Sequence, residues 1–258
     1  LKSPSRVETD ASDAYLQLRQ YMKQIPSLFV PNVFCVMSDM TETRVGTITA
    51  DEDRYVAWKS VDGDYFETKN ASWKTMLDGM LPKARLLDII QNFVCFNDTS
   101  EKIVKILGAY HQYFAVKKAV VRAQDAVAGD GKIGVFWHTQ GSGKSLSMVF
   151  FAHLIQKYLE SPTIVVITDR NDLDDQLFDT FANSKQLLRQ EPVQAKDREH
   201  LKELLKVSSG GIVFTTIQKF LPEDQKSVYD KLSDRRNIVV IADEAHRTQY
   251  GFEASIKE

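Results

Sequence analysis

The chain has 258 residues, a formal net charge of −2 and a hydrophobic content of 43%, which suit one large or two modest globular domains. No apolar run approaches the ~18 residues of a membrane-spanning helix and no signal peptide is visible, so we expect no membrane partner. The two cysteines, Cys35 and Cys95, lie in apolar runs typical of core positions, which fits a reducing cytoplasm.

The first third of the chain shows a helix pattern followed by short strand patterns. Residues 10–22 are predicted to form a helix, because apolar side chains recur at helical spacing behind a capping residue. Three strands of an antiparallel meander are predicted next, over residues 32–38, 43–48 and 54–59. Pro82 suits the first turn of a further helix, which is predicted to run to about residue 96.

The polar run 97–100 predicts a domain boundary, with one domain over residues 1–96 and a second over 97–258. The second domain begins with helical patterns over residues 101–128. It continues with predicted strands at 133–137, 163–168, 211–216 and 238–242 and predicted helices at 146–159, 171–181 and 197–207. Such alternation indicates an α/β fold whose parallel sheet carries helices on both faces.

A glycine-rich loop, His138-Thr-Gln-Gly-Ser-Gly-Lys-Ser145, joins the first of these strands to an apolar helix. This order predicts a phosphate site, because main-chain N–H groups and the positive helix end point at one spot. Lys144 adds a full charge, and Ser145 is predicted to bind Mg²⁺. His138 stands where the usual pattern has glycine. The predicted nucleotide-contacting residues of the loop are Thr139, Gln140, Gly141, Ser142, Gly143, Lys144 and Ser145.

An acidic motif, Asp243-Glu-Ala-His246, follows the apolar run 238–242, which is typical of a central parallel strand. Side chains at such a strand end face the crevice where ligands bind. We predict that Asp243 holds Mg²⁺ through water, that Glu244 orients and deprotonates the attacking water, and that His246 senses the γ-phosphate. The loop and this motif are expected to serve one nucleotide.

Three further motifs resemble those of superfamily 2 helicases and translocases. Two of them, Thr168-Asp-Arg-Asn-Asp-Leu173 and Thr215-Thr-Ile-Gln-Lys-Phe220, lie at strand ends, where such motors grip the DNA backbone. This resemblance implies DNA contacts by Thr168, Arg170, Thr215 and Thr216. In the third motif, Gln112 resembles the glutamine that pairs with adenine in the same superfamily, which implies ATP as the nucleotide.

Three longer strings resemble the motor subunit of type I restriction-modification enzymes. They are Phe136-Trp-His-Thr-Gln-Gly-Ser-Gly-Lys-Ser-Leu146, Asp243-Glu-Ala-His-Arg-Thr-Gln-Tyr-Gly251 and His111-Gln-Tyr-Phe-Ala-Val-Lys-Lys-Ala119. The resemblance covers roughly residues 105–251 and implies that residues 97–258 are the first RecA-like ATPase lobe, incomplete, of a longer protein. It also implies double-stranded DNA and the methyltransferase and specificity subunits as partners.

That family carries a PD-(D/E)xK nuclease domain before the motor, and residues 1–96 are similar to its carboxyl-terminal portion. Leu1-Lys-Ser-Pro4 looks like the end of a Glu-x-Lys motif, which implies that Lys2 is the catalytic lysine. Gln17 and Tyr21 match a Gln-x-x-x-Tyr element of related nucleases, and their spacing of one helical turn puts them on one face. The acidic metal ligands of such a nuclease would precede Leu1.

Together these features favour ATP-driven translocation of double-stranded DNA coupled to endonucleolytic cleavage. Three other functions stay open: another superfamily 2 DNA or RNA helicase with an unrelated amino-terminal domain, a non-catalytic module that uses its nucleotide pocket as a structural switch, and a small-molecule kinase. Retention of Lys144, Ser145, Asp243 and Glu244 argues against the switch. The Asp243-Glu-Ala-His246 string, far along the chain from Lys144, argues against the kinase.

Overall fold

A computed structural model describes residues 11–39, 42–68, 73–99, 101–168, 171–220 and 231–245. The chain divides into two compact units, Leu1–Phe150 and Phe151–Glu258. Among the helices in the described ranges, none combines the length and the apolarity that crossing a membrane requires.

The first unit combines helices with two antiparallel strand pairs. Its helices are α1 (Ala11–Gln24), α2 (Trp73–Gly79), α3 (Lys83–Asn92) and α4 (Tyr110–Ala128). Its strands are β1 (Cys35–Ser38), β2 (Thr43–Gly46), β3 (Val94–Asp98) and β4 (Ile103–Leu107), with β1 paired to β2 and β3 to β4. Its described residues also form 3₁₀ turns at Pro26–Phe29 and Glu52–Arg54.

Helix α1 packs its apolar face on the β1–β2 pair. Ala14 belongs to a buried cluster with Met37 and Tyr55, and the ring of Tyr15 meets that of Tyr55 edge-on with centroids 5.6 Å apart. The helix predicted at residues 10–22 and the first two predicted strands are therefore confirmed. The third, at 54–59, is reduced to a single bridge between Val45 and Val56.

The β3–β4 hairpin corrects the prediction for residues 94–107, which the sequence assigns to helices on either side of a domain boundary. Cys95 is buried and Phe96 is exposed, and this alternation is the period-two pattern of a strand. Thr99 closes the turn, since its main-chain N–H donates to Lys102 O at 3.1 Å. Asn97 and Asp98 of the polar run thus belong to β3, and the compact units divide after Phe150. The domain bounds 1–96 and 97–258 stay a prediction. The functions assigned to the two predicted domains stay predictions.

The second unit is built around a four-stranded parallel sheet. Helix α5 (Lys144–Tyr158) contains the point of division between the units. The elements after it are β5 (Thr163–Thr168), α6 (Asn171–Ala182), α7 (Lys185–Leu188), β6 (Pro192–Gln194), α8 (Arg198–Leu204), β7 (Ile212–Thr216), a 3₁₀ turn at Ile217–Phe220, and β8 (Ile238–Ala242). The strand order is β6-β7-β5-β8, with every neighbouring pair parallel.

Helices cover both faces of this sheet, as the sequence predicts. Successive residues of β7 point to opposite sides. On one side Val213 joins a buried cluster with Leu201 of α8. On the other, Phe214 meets the rings of Phe178 and Phe181 in α6 at centroid distances of 5.2 and 5.1 Å. The α/β class with a RecA-like parallel sheet is therefore confirmed.

One strand prediction in the second predicted domain is wrong, and another is confirmed in its bounds, Ile238–Ala242, but not in its place in the sheet. Residues 133–137 have no regular structure, and Val135 and Trp137 are 97% and 87% exposed. Strand β8, predicted to be central, pairs only with β5 within the described residues and is therefore an edge strand there, with Val240 54% exposed. An apolar run identifies a segment able to form a buried strand, but it does not supply the neighbouring strand that completes its hydrogen bonds.

Candidate nucleotide-binding site

The glycine-rich loop adopts a conformation that its two glycines make possible. Gly141 and Gly143 both have φ of +79°, in the left-handed region that other residues adopt only with strain. A Cβ on Gly143 would also lie 2.6 Å from Gln112 Nε2, whereas the space around Gly141 is open. Gly143 is therefore required by backbone conformation and by close packing, and Gly141 by conformation alone.

Hydrogen bonds within the loop fold it into a turn that leads directly into α5. The main-chain N–H and the hydroxyl of Ser142 both donate to Thr139 O, at 3.3 and 2.7 Å. The Ser147 N–H donates to Gly143 O at 3.1 Å, which is the first bond of α5. Lys144 and Ser145 are consequently the first two residues of the helix, at its positive end, and both are half-buried.

Side chains from the first turn of α4 hold this loop. Gln112 Nε2 donates to Gly143 O at 2.9 Å, and His111 Nε2 lies 3.0 Å from Ser142 O. Since a carbonyl oxygen only accepts, the His111 ring must carry its proton on Nε2. Gln112 Oε1 also accepts from Ala109 N at 2.9 Å, so the same amide caps α4.

These contacts bear on the adenine prediction for Gln112. Its side chain is 4% exposed, and both its oxygen and its nitrogen are engaged with protein groups. Adenine pairing needs that donor and that acceptor, so it would require this amide to share or exchange its partners. Recognition of adenine by Gln112 stays a prediction, and the structure adds the unforeseen contact with the loop.

His138, which replaces the usual glycine at the start of the loop, packs between two other rings. Its ring centroid lies 4.4 Å from that of Phe136 and 5.1 Å from that of His111. Burial lowers the pKa of His138, and the charges of His111 and Lys144 lower it further. The lowered pKa favours the uncharged form of this ring beside Lys144. This packing explains how the loop accommodates a bulky residue at that position.

The acidic motif lies at the carboxyl end of β8 and is held by the main chain of the sheet. Asp243 N donates to Ile167 O at 2.8 Å, which continues the β5–β8 ladder beyond the strand. Asp243 Oδ1 accepts from Glu244 N at 3.0 Å. Glu244 has φ of +49°, a conformation that costs on the order of 1 kcal/mol or more and is commonest at functional sites. Both carboxylate side chains are half-buried.

Three of the four predicted DNA-contacting residues lie at the same edge of the sheet as Asp243. Thr168 and Thr216 are direct partners at the ends of β5 and β7, and Thr215 precedes Thr216. All three side chains are buried, so contact between their hydroxyls and DNA requires the covering residues to move. The fourth, Arg170, lies outside the described residues.

The predicted nuclease residues are only partly described. Gln17 and Tyr21 share the exposed face of α1, where Gln17 Nε2 donates to the Tyr21 hydroxyl at 2.7 Å. Lys2 and His246 lie outside the described residues. Within the described ranges, no group of three or more His, Cys, Asp or Glu side chains could hold a metal ion.

Each unit, taken by itself, carries groups that suit part of a Mg²⁺-bound nucleotide. The first unit offers main-chain N–H groups, Lys144 and the Ser145 hydroxyl at a helix start, which suit phosphate and a hard cation. The second unit offers the oxygen ligands of Asp243 and Glu244. His111 is the residue that sequence reasoning missed, since only its place beside Gln112 hinted at a contact with the loop.

Comparisons with known proteins identify the family of the chain. Residues 111–257 match the family model described as SWI2/SNF2 ATPase. The chain is 46% identical to the type I restriction enzyme HindI endonuclease subunit of Haemophilus influenzae, over 98% of this chain and 25% of that protein. It is 36% identical to the provisionally named type I restriction enzyme MjaIXP endonuclease subunit of Methanocaldococcus jannaschii, over 97% of this chain and 25% of that protein. The chain thus spans about a quarter of the length of these curated relatives.

Proposed function

We propose, from the premise that this chain belongs to the SWI2/SNF2 ATPase family, that it hydrolyses ATP to translocate double-stranded DNA and that this motion is coupled to endonucleolytic cleavage. The protein would act as the endonuclease subunit of a type I restriction enzyme. The observation that carries the proposal is the phosphate loop. Its two glycines adopt left-handed φ, and the loop leads directly into α5, whose first two residues are Lys144 and Ser145.

Each residue of the candidate site has a role in this proposal. Lys144 and the loop N–H groups bind the phosphate oxygens and neutralise the charge that develops there. Glu244 accepts a proton from the attacking water and orients it. Ser145 and Asp243 would hold Mg²⁺, which supplies further charge neutralisation when bound. His246 senses the γ-phosphate, and Gln112 selects adenine.

The DNA track and the nuclease belong to the proposal as well. Thr168, Arg170, Thr215 and Thr216 contact the DNA backbone, and Lys2, Gln17 and Tyr21 belong to the cleavage site. Methyltransferase and specificity subunits are the proposed partners, and the cytoplasm is the proposed location. Similarity over 98% of the chain includes the region before the ATPase match, which argues against a helicase with an unrelated amino-terminal domain.

The test is Lys144→Ala in the intact protein. Loss of the charge at the start of α5 should lower DNA-stimulated ATP hydrolysis on the order of 100-fold or more and abolish translocation. The thermal unfolding midpoint should stay unchanged. Lys132→Ala is the matched control, because Lys132 is an exposed lysine before the loop. Hydrolysis at a near wild-type rate in Lys144→Ala would overturn the site assignment.

A further inference from the structure

Two consecutive side chains at the start of α4 bind consecutive carbonyl oxygens of the phosphate loop. His111 Nε2 donates to Ser142 O at 3.0 Å, and Gln112 Nε2 donates to Gly143 O at 2.9 Å. Helix α4 therefore holds two successive peptide groups of the loop by their oxygen ends. A contact of this kind fixes the rotation of each peptide plane, which is the main freedom left to a glycine-rich loop.

The direction of these two carbonyl groups also fixes the direction of the N–H groups in the same peptides. In a planar trans peptide the N–H points opposite to the C=O. With the oxygens of Ser142 and Gly143 directed at α4, the N–H groups of Gly143 and Lys144 point away from α4. A phosphate on that side meets two donors, whereas rotation of either peptide would present a carbonyl oxygen and repel it.

The ring of His111 is supported on two sides. Tyr110 meets it edge-on with centroids 5.2 Å apart, and His138 meets it edge-on at 5.1 Å. His138 is itself packed against Phe136 at 4.4 Å. This packing restricts the rotamers of the His111 side chain and keeps Nε2 directed at the Ser142 oxygen. The histidine in place of the usual glycine thus forms part of the support for His111.

We propose that His111 is a positioning residue of the phosphate loop, which holds the Ser142–Gly143 peptide so that the Gly143 N–H faces the phosphates of the nucleotide. The inference rests on the proposed ATPase function and adds a residue to it. His111 does not touch the nucleotide in this scheme, and it acts through the main chain of the loop. The cap of α4 is supplied by Gln112 and Ala109, so the helix does not depend on His111.

The experiment compares two substitutions, one that keeps the aromatic ring of His111 without its hydrogen-bond donor and one that keeps a donor without the ring. His111→Phe keeps a ring for Tyr110 and His138 but removes the donor, and His111→Gln keeps an N–H donor of similar reach but removes the ring. Both are made in the intact protein, and DNA-stimulated hydrolysis of Mg²⁺–ATP gives KM and kcat. The thermal unfolding midpoint is measured for each variant. If the Phe variant fails to fold, His111→Leu, which also lacks a donor, replaces it.

The Phe variant should raise KM for ATP about five- to tenfold, as expected for loss of one hydrogen bond that orders a phosphate ligand, and leave kcat nearly unchanged. The Gln variant should restore KM to within about twofold of the wild-type value. Val121→Phe, an exposed position on the same helix, is the control and should behave as wild type.

Three results would overturn the inference. They are a wild-type KM in the Phe variant, an equal rise in KM in the Phe and Gln variants, and a fall in kcat without a change in KM. Lys144→Ala, measured in parallel, separates this inference from the function on which it rests. If that variant loses hydrolysis while His111→Phe behaves as wild type, only the role of His111 is wrong.

Discussion

The two parts of the candidate site are held in place by different kinds of hydrogen bond. The phosphate loop has no regular structure of its own before α5, and side chains of His111 and Gln112 bind its carbonyl oxygens. The acidic motif continues a parallel sheet, and the main chain of Asp243 binds the main chain of Ile167. The loop combines main-chain bonds with bonds from two specific side chains, whereas the acidic motif is held by main-chain pairing, which any residue except proline can make.

This difference predicts how each part responds to substitution. A change of His111 can release the Ser142–Gly143 peptide, because the bond from that side chain to Ser142 O is lost, whereas Gly143 O also accepts from Ser147 N of α5. A change at Asp243 or Glu244 removes a functional group but leaves its position intact, since the backbone bonds remain. Substitutions at the acidic motif should therefore act on chemistry, and substitutions on α4 should act on nucleotide affinity.

The largest expected effect is that of Glu244→Gln. The amide keeps the shape of the side chain but cannot accept the proton of the attacking water, so kcat for ATP hydrolysis should fall on the order of 100- to 1,000-fold. Affinity for Mg²⁺–ATP, measured by equilibrium binding, should change little. Glu203→Gln, an exposed glutamate on α8, is the matched control. A large loss of affinity with kcat preserved would show that Glu244 orders the site and does not act as its base.

An intermediate effect is expected for Gln112→Glu. The carboxylate still accepts from Ala109 N, so α4 keeps its cap, but it cannot donate to Gly143 O and places negative charge beside that oxygen. KM for ATP should rise roughly tenfold while the unfolding midpoint stays near that of wild type.

Gln124→Glu makes the same substitution at an exposed position on α4 and serves as the control. If Gln112→Glu lowers the unfolding midpoint and KM together, or leaves KM unchanged, the loop does not depend on this side chain. The proposed difference between the phosphate loop, supported by side chains of α4, and the acidic motif, supported by the main chain of the sheet, would then be wrong.

Local sequence patterns predict the second unit well where an element can be recognised by itself. The apolar runs of β5 and β7 and the helical spacing of α6 give the right elements at nearly the right positions. Strand β6 is not predicted, because it has only three residues and begins with proline. The β3–β4 hairpin is missed because its alternation of buried and exposed residues is short and its polar residues are also typical of a connecting segment.

In the candidate site, local sequence patterns predict single residues but not the contacts between distant segments. Lys144, Ser145, Asp243 and Glu244 are recognisable because each belongs to a short motif with its own chemistry. The hydrogen bond between Gln112 and Gly143 joins residues 31 positions apart, and no sequence pattern in either segment predicts it. Nor does the sequence show that Thr168, Thr215 and Thr216 are buried, since burial depends on how neighbouring elements pack.

The central claim is that the phosphate loop and the acidic motif serve one nucleotide. The most direct measurement is an experimental structure of the intact protein with Mg²⁺ and a non-hydrolysable ATP analogue. We expect Lys144 and the Gly143 N–H to bind the phosphates, with Asp243 on the metal side and Glu244 facing the γ-phosphate. An analogue bound by the loop while both carboxylates face elsewhere, or bound away from the loop altogether, would contradict the claim.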